Sequence, residues 1–320
     1  MSFTAQVKDE LSRVEPPTRE AELAQLSALV RVCGTLSFHG SGRYSIRIAT
    51  ETGAVARTII KLTHKLFDLE TALTVRRSVL HKTRNYLIEI PEQERLADDL
   101  EGLGILVPGR GIASGVPRQL LRTADGRRAF VRGAFMAGGF IADPRGDFHL
   151  EIAVTGETFA HGLVDVMGTL GVSARLNHRR GSFAIYLKSF DDVSCLLSAM
   201  GAHRMAQVVE VARVRKSVKN DVNRRVNAEV ANQARSSSAA ADQLDLIARA
   251  EREIGLSKLP PAVREFCRVR KANPELSLGA LGQKLDPPAS KSAMYHRLLR
   301  LQQLVGEVEE TGNVPTQKKK

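Results

Sequence analysis

The 320-residue sequence has no tryptophan and only four tyrosines, too few flat rings for a protein that holds single-stranded nucleic acid by stacking bases. Its three cysteines, Cys33, Cys195 and Cys267, stand far apart in apolar surroundings, and no CxxC or Cys/His spacing joins them. An odd, scattered set of thiols provides neither a disulfide framework nor a zinc site. Buried free thiols are therefore expected, with no metal and no cofactor. No window of eighteen apolar residues occurs, and the opening "MSFTAQVKDELSRVE" has no apolar signal core, so neither a membrane span nor a secretory leader is expected and the chain reads as cytoplasmic. No basic stretch bears the Trp/Phe/Leu-rich face of a helix lying on a membrane.

What the sequence has in excess is positive charge. Lys and Arg number 47 against 35 Asp and Glu, a formal charge of +12 and a pI near 9.9. Such a balance suits a polyanionic partner, nucleic acid first and hence a nucleoid location. The composition, 43% apolar and 26% charged, is that of an ordinary soluble protein, and the length allows two domains or three.

An internal repeat organises the first two hundred residues. "LSALVRVCGTLSFHGSGRYSIRIAT", from Leu26, matches "FVRGAFMAGGFIADPRGDFHLEIAV", from Phe130. Each is an apolar run seeded with small residues, then a glycine, a polar turn and an alternating strand. An amphipathic helix follows in each copy ("AVARTIIKLTHKLF", "FAHGLVDVMGTLG"). Two strand-like pieces come next ("ALTVRRSVLHKTRNYLIEI", "ARLNHRRGSFAIYLKS"), and a helix closes the copy ("QERLADDLEGLGI", "DVSCLLSAMGA"). The order α-β-β-α-β-β-α thus occurs twice, which predicts an α+β architecture with pseudo-twofold symmetry and an extended saddle suited to duplex DNA.

The opening helices resemble the motif of the LAGLIDADG homing endonucleases, "LSALVRVCG" (Leu26–Gly34) in the first copy and "RGAFMAGG" (Arg132–Gly139) in the second. The resemblance implies that the two motif helices pack along the pseudo-twofold axis, with Ala28, Gly34, Gly133, Ala134, Ala137, Gly138 and Gly139 allowing close approach. It also implies that the last acidic residue of each motif binds the metals that cut DNA. Those positions here are Cys33 and Gly138, separated by the 105-residue repeat. Neither can hold a hard Mg²⁺, which needs oxygen ligands, so no catalytic residue is assigned. Asp143, Asp147 and Glu151 follow nearby but read as solvated carboxylates of a turn and strand.

After Gly201 a long helix is expected, free of Pro and Gly until Gly255. Val211, Val214, Val218, Val222 and Val226 form an apolar stripe along it. Six basic residues (Arg213, Arg215, Lys216, Lys219, Arg224, Arg225) face only Asp221, and Asn220, Asn223 and Asn227 share a face. That face is either simply solvated or a track along the DNA backbone, with Asn223, Arg224, Arg225 and Asn227 as candidate contacts. "SSSAAA" (Ser236–Ala241) reads as a hinge or as continuing helix.

The last domain reads as three short helices: "LPPAVREFCRVRKANP", "LSLGALGQKL" capped by Ser277, and "KSAMYHRLLRLQQLVGEV" capped by Ser290. On the third, Met294, Leu298, Leu301 and Val305 share one face. Ser292, His296, Arg300 and Gln303 oppose them, with Tyr295 and Arg297 flanking. This is the helix-turn-helix plan, whose recognition helix aims its N-terminal residues at base edges. Ser290, Lys291, Ser292, Tyr295, His296, Arg297 and Arg300 are the candidate DNA contacts. His296 has no second ligand beside it, which favours a phosphate or base contact over a metal.

A duplicated LAGLIDADG-like domain without nuclease acids, followed by a helix-turn-helix, is similar to the WhiA family. "VNRRVNAEVAN" (Val222–Asn232), "LSLGALGQKLDPPASKSAMYHRLLRL" (Leu276–Leu301) and the opening "VKDELSR" (Val7–Arg13) carry the resemblance. Ala228 departs from it, standing where many members would have cysteine. The resemblance implies a non-catalytic, sequence-specific transcription regulator of sporulation and cell-division genes, acting on promoter DNA with a WhiB-like iron–sulfur protein as partner. Internal symmetry removes the usual need for a homodimer, so a monomer is expected. The rival readings are a metal-dependent nuclease using displaced carboxylates and a nucleoid protein binding DNA without sequence preference. The expected layout is an N-terminal helix over 1–22 and a LAGLIDADG-like domain over 23–205, with repeats 23–110 and 128–205. A basic helical linker over 206–255, a helix-turn-helix domain over 256–310 and a disordered basic tail over 311–320 complete it.

Overall fold

A computed structural model describes residues 1–40, 42–77 and 84–311, with side chains of the last helix described through residue 307. All but the first residue of the expected tail, and the turn between the two strands of "ALTVRRSVLHKTRNYLIEI", lie outside the described residues. The chain divides into two compact units, residues 1–217 and from Val218 onward.

The first unit realises the repeat. Helix α1 spans Phe3–Leu11, its first turn capped by the Ser2 hydroxyl, which accepts from the Ala5 amide at 3.2 Å. The N-terminal helix expected over 1–22 is therefore two helices. Pro16 and Pro17 cannot supply the amide donors of a continuous helix, and α2 begins at Arg19, capped by Thr18 with Glu20 and Glu22 in its first turn. Helix α2 (Arg19–Cys33) leads into β1 (Gly34–Phe38), β2 (Tyr44–Thr50), α3 (Gly53–Phe67), β3 (Ala72–Arg77), β4 (Arg84–Ile90) and α4 (Leu96–Gly102). A joining segment carries a short hairpin, β5 (Leu106–Val107) and β6 (Gly111–Ile112), which the sequence patterning did not single out. The second copy then runs α5 (Ala124–Gly138), β7 (Gly139–Ile141), β8 (Leu150–Val154), α6 (Glu157–Gly168), β9 (Arg175–Arg179), β10 (Ser182–Leu187) and α7 (Phe190–Met200).

Two four-stranded antiparallel sheets result, ordered β1-β2-β4-β3 and β7-β8-β10-β9. Gly34 pairs with Ile48 in the first and Gly139 with Ile152 in the second, so the pairing is equivalent in the two copies, with one residue fewer between the paired positions in the second. Each sheet buries one face on helices. Ile46, Ile48, Ile88 and Ile90 point inward from the first, Leu150, Ile152, Ile185 and Leu187 from the second. The period-2 alternation of the strands decides this, because a one-residue slip would turn these side chains to solvent.

Helices α2 and α5 pack on each other more extensively than any other pair of helices among the described residues. Ala28 is fully buried, and a Cβ at Gly133 would stand 3.0 Å from the Ala28 Cβ and collide with the Gln25 carbonyl oxygen. Ala28 and Gly133 are equivalent under the repeat, so the pseudo-twofold axis passes between them. Ala134 is buried in the same seam, and Ala137 is half-buried. Gly138 is pressed against the Ala153 carbonyl of β8 and the Val32 side chain. Gly34 and Gly139, expected to serve this packing, act differently. A Cβ on either would meet the carbonyl of Val30 or Phe135 in its own helix, so these glycines let the chain turn from helix into strand.

The second unit contains the end of α8 (His203–Glu253), α9 (Pro261–Ala272), α10 (Leu278–Gly282) and α11 (Lys291–Thr311). Helix α8 is unbroken through Ser236–Ala241, so the alanines continue the helix and no hinge forms there. Its valine stripe faces solvent, with Val211, Val214, Val218, Val222 and Val226 half exposed or more. The domain start expected at 256 moves upstream. Ile247 and Ala250 of α8, and Ile254 just after it, are buried in one cluster with Phe266, Cys267, Leu281, Met294 and Leu301. Beneath them the buried guanidinium of Arg270 donates to the Gln243 side chain at 3.0 Å and to the Leu276 carbonyl at 2.6 Å, fixing the turn between α9 and α10.

Candidate nucleic-acid interface

Helix α11 is placed by its apolar seam. Met294 and Leu301 are fully buried, and Leu298, Leu304 and Val305 nearly so. That seam turns Lys291, Ser292, Tyr295, His296 and Arg300 outward, all exposed. Ser290 caps the helix, its hydroxyl accepting from the Ala293 amide at 3.2 Å. No acidic residue occupies the first turn, so the positive end of the helix dipole is uncompensated where a phosphate or base acceptor would approach. Tyr295 is half exposed and sets its ring edge-on to His296.

The structure does not place all the sequence-predicted contacts alike. Arg297 is half-buried and donates to Glu265 of α9 at 3.0 Å, so it braces α11 from within the unit and is not a presented cation. Its position beside the apolar stripe is what puts it within reach of α9. Arg300 is exposed and shares itself between Gln303 at 3.2 Å and Glu307 at 3.8 Å. On α8, Asn223, Arg224, Arg225 and Asn227 are exposed, with Arg224 paired to Asp221. Arg213 and Lys216, which added to the basic count of that helix, lie over the rings of Phe190 at 4.3 Å and Phe148 at 4.7 Å. Their charges hold the start of α8 to the first unit.

The outward faces of the two sheets differ. Thr35, Arg47 and Glu89 form one row of the first, with Arg47 and Glu89 joined at 3.0 Å. The equivalent row of the second is Phe140, Glu151 and Tyr186. Glu151 is clamped by both Arg179 nitrogens at 2.9 and 2.8 Å and approached by His149 at 3.4 Å. Phe140, His149 and Tyr186 form an aromatic strip, with the Lys188 ammonium over the Tyr186 ring. The strip escaped the sequence reading because Phe140 of β7, His149 just before β8 and Tyr186 of β10 are far apart in sequence and meet only through the register of the sheet.

The two positions that hold acids in LAGLIDADG nucleases sit at the ends of α2 and α5. The Cys33 thiol donates to the Leu29 carbonyl at 3.1 Å, and burial pushes its pKa up to about 12, so it stays neutral. Gly138 has no side chain and no room for one. Helix α1 packs onto α5 and β7. Its Thr4 hydroxyl bonds the Ile141 backbone in both directions, at 2.8 and 3.0 Å. It also carries the buried Lys8, whose pKa is drawn down by burial while the Glu51 carboxylate acts against that shift. Sequence reasoning missed this lysine, because nothing in "VKDELSR" says that it is buried where α1 packs on the rest of the unit. Asp143 is held down to about 2 by hydrogen bonds from the Arg145 side chain and amide, and Glu151 is clamped as above. Among the described residues no group of three or more His, Cys, Asp or Glu side chains could hold a metal ion.

No helix among the described residues is long and apolar enough to cross a membrane.

Comparison with known proteins agrees with this architecture. The WhiA N-terminal LAGLIDADG-like domain matches residues 19–106, the WhiA LAGLIDADG-like domain residues 127–219, and the WhiA C-terminal HTH domain residues 222–305. The chain is 37% identical to the probable cell division protein WhiA of Clostridium novyi (strain NT), over 98% of this chain and 100% of that one. It is also 37% identical to the protein of the same name in Heliobacterium modesticaldum, over 98% and 99%. Among solved structures, full-length DUF199/WhiA from Thermatoga maritima superimposes with a TM-score of 0.59 at 25% identity, over 98% of this chain and 100% of that one.

Proposed function

The chain belongs to the WhiA family, and from that premise we propose that it is a non-catalytic, sequence-specific DNA-binding regulator of transcription, acting on genes of cell division and sporulation. The observation that carries the reading is α11. One helix buries Met294, Leu298 and Leu301 and, by doing so, turns Lys291, Ser292, Tyr295, His296 and Arg300 together to solvent behind an uncompensated N-terminus. A helix so armed lies in the major groove with its first turns against base edges. In this reading Ser292 and His296 supply hydrogen-bonding groups to bases, and Lys291 and Arg300 meet flanking phosphates. Asn223, Arg224, Arg225 and Asn227 of α8 add backbone contacts, which position the protein without reading sequence. The duplicated domain contributes a scaffold: with a neutral thiol and a glycine where metal ligands would stand, it lacks the oxygen ligands to clamp a reacting phosphodiester.

The test starts by mapping genomic sites through chromatin immunoprecipitation and then compares one such duplex with a random one at fixed salt. A specific regulator prefers its site by about 10³-fold or more, whereas counterion release alone discriminates nothing. Equal affinities refute the reading, as does Mg²⁺- or Mn²⁺-dependent cleavage of the duplex that is lost in Asp143→Asn. Co-purification with a WhiB-like iron–sulfur protein tests the protein partner.

A further inference from the structure

We propose that the first unit contains a binding site for a small organic monoanion with an apolar body, in the cavity where the segment joining the two repeats closes over α2, β8 and α6. The cavity measures about 300 Å³, within the range of small-molecule sites. Its walls are mostly apolar: Val30 of α2, Leu36 of β1, Ile105 of the joining segment, and Val154 and Phe159 from β8 and α6, with the exposed Ile112 at the rim.

One charge lines it. Arg31, near the end of α2, donates from Nη1 to the Ala113 carbonyl at 3.0 Å and from Nη2 to the Gly104 carbonyl, and its guanidinium lies over the Phe159 ring. Its Nε is buried without an acceptor. Among the described residues no carboxylate pairs with it, and burial draws its pKa down to about 10 with no opposing charge to restore it. A half-buried cation with one nitrogen shut away from water and from any acceptor is costly, and the dipole at the end of α2 offsets only part of that. The opposite wall also favours an anion. Helix α6 begins there, its N-cap Gly156 providing no side-chain cap, and Thr155 and Ser114 place hydroxyls at the edge. Glu157, the acid in the first turn of α6, lines a separate depression with Arg118 and His161. None of the described residues lining the cavity carries a carboxylate.

The site breaks the repeat. The 105-residue offset sets Met136 where Arg31 stands, and Met136 is fully buried. The cation comes from the first copy, and the joining segment covers it together with β8 and α6 of the second. A single cation among hydrophobic walls selects one negative charge on an apolar frame, such as an aromatic or branched-chain carboxylate, over a fully hydrated inorganic anion.

The experiment titrates the full-length protein with benzoate, with benzamide as the uncharged match and inorganic phosphate as the anion without a frame. Benzoate is expected to raise the Tm of the first unit by about 5 °C or more at 100-fold over its Kd, and to shift the methyl resonances of Val30, Ile105, Ile112 and Val154. Both effects are expected to vanish in Arg31→Met and in Ser114→Phe, which fills the mouth from an exposed position. Should Arg31→Met fail to fold, Ser114→Phe alone decides. A response to benzamide or phosphate equal to that to benzoate overturns the proposal, and so does undiminished benzoate binding in either folded variant.

Discussion

Gly133 offers the sharpest test of how the two halves are joined. An alanine there brings its Cβ to 3.0 Å from the Cβ of Ala28 and into the Gln25 carbonyl. Carbon pairs rest at about 3.5–4.0 Å, so α2 and α5 must separate by about 0.5–1 Å along a seam that is otherwise filled. Overpacking of this kind costs about 1–3 kcal/mol. The same change also gains helix propensity, about 0.8–1 kcal/mol, so the raw loss understates the collision. Gly168, at the end of α6, has nothing within 4 Å of a Cβ and serves as the control. Gly168→Ala makes the same chemical change without the neighbour, and subtracting it cancels much of the propensity. Calorimetry should therefore find Gly133→Ala less stable than Gly168→Ala by about 1–3 kcal/mol, or about 2–4 °C in Tm for each kcal/mol in a domain of this size. If Gly133→Ala is as stable as Gly168→Ala, α2 and α5 do not meet at Ala28 and the axis has been placed wrongly.

Three further outcomes are expected. Lys291→Ala should weaken duplex binding evenly across sequences and lower the slope of log K against log salt by about 1, while leaving thermal stability alone; an unchanged slope means that α11 is not the docked helix. Met294→Asp buries an unpaired charge at the centre of the second unit and should cost about 3–5 kcal/mol, seen as loss of that unit's unfolding transition while the first unit's survives. Asp99 has a buried oxygen without a hydrogen-bond partner, and burial holds its pKa above the ordinary carboxyl value against the pull of Arg95 and Arg19. A raised native pKa means that the folded state keeps its proton to higher pH than the unfolded chain, so stability falls as pH rises between the two values. Asp99→Asn should thus be the more stable protein at neutral pH, with the difference closing as pH falls below the ordinary carboxyl range. A difference that grows toward acid pH contradicts the assignment.

The sequence made the duplication legible because repetition leaves a record in spacing: the match of Leu26 onward to Phe130 onward survives as helix ends at Cys33 and Gly138 and strand pairs at Ile48 and Ile152. It made α11 legible as well, since Met294, Leu298 and Leu301 announce a buried seam by periodicity alone. Periodicity does not name the partner. Ile247, Ala250 and Ile254 show a helical stripe, yet nothing local assigns it to the second unit, and the valines from Val211 to Val226 show a similar stripe that stays in solvent. The burial of Lys8 and the place of Arg31 under the joining segment depend on contacts across tens of residues. Arg297 shows the same limit at shorter range: one helical step separates a presented cation from one spent on Glu265.

The row Thr35, Arg47, Glu89 and its counterpart Phe140, Glu151, Tyr186 began as copies. Two identical subunits would be obliged to change such a row in step, and a target they read would have to repeat itself in reverse. Fusion into one chain dissolves that obligation. Each half can drift on its own, so a sequence met by both faces need not be a palindrome.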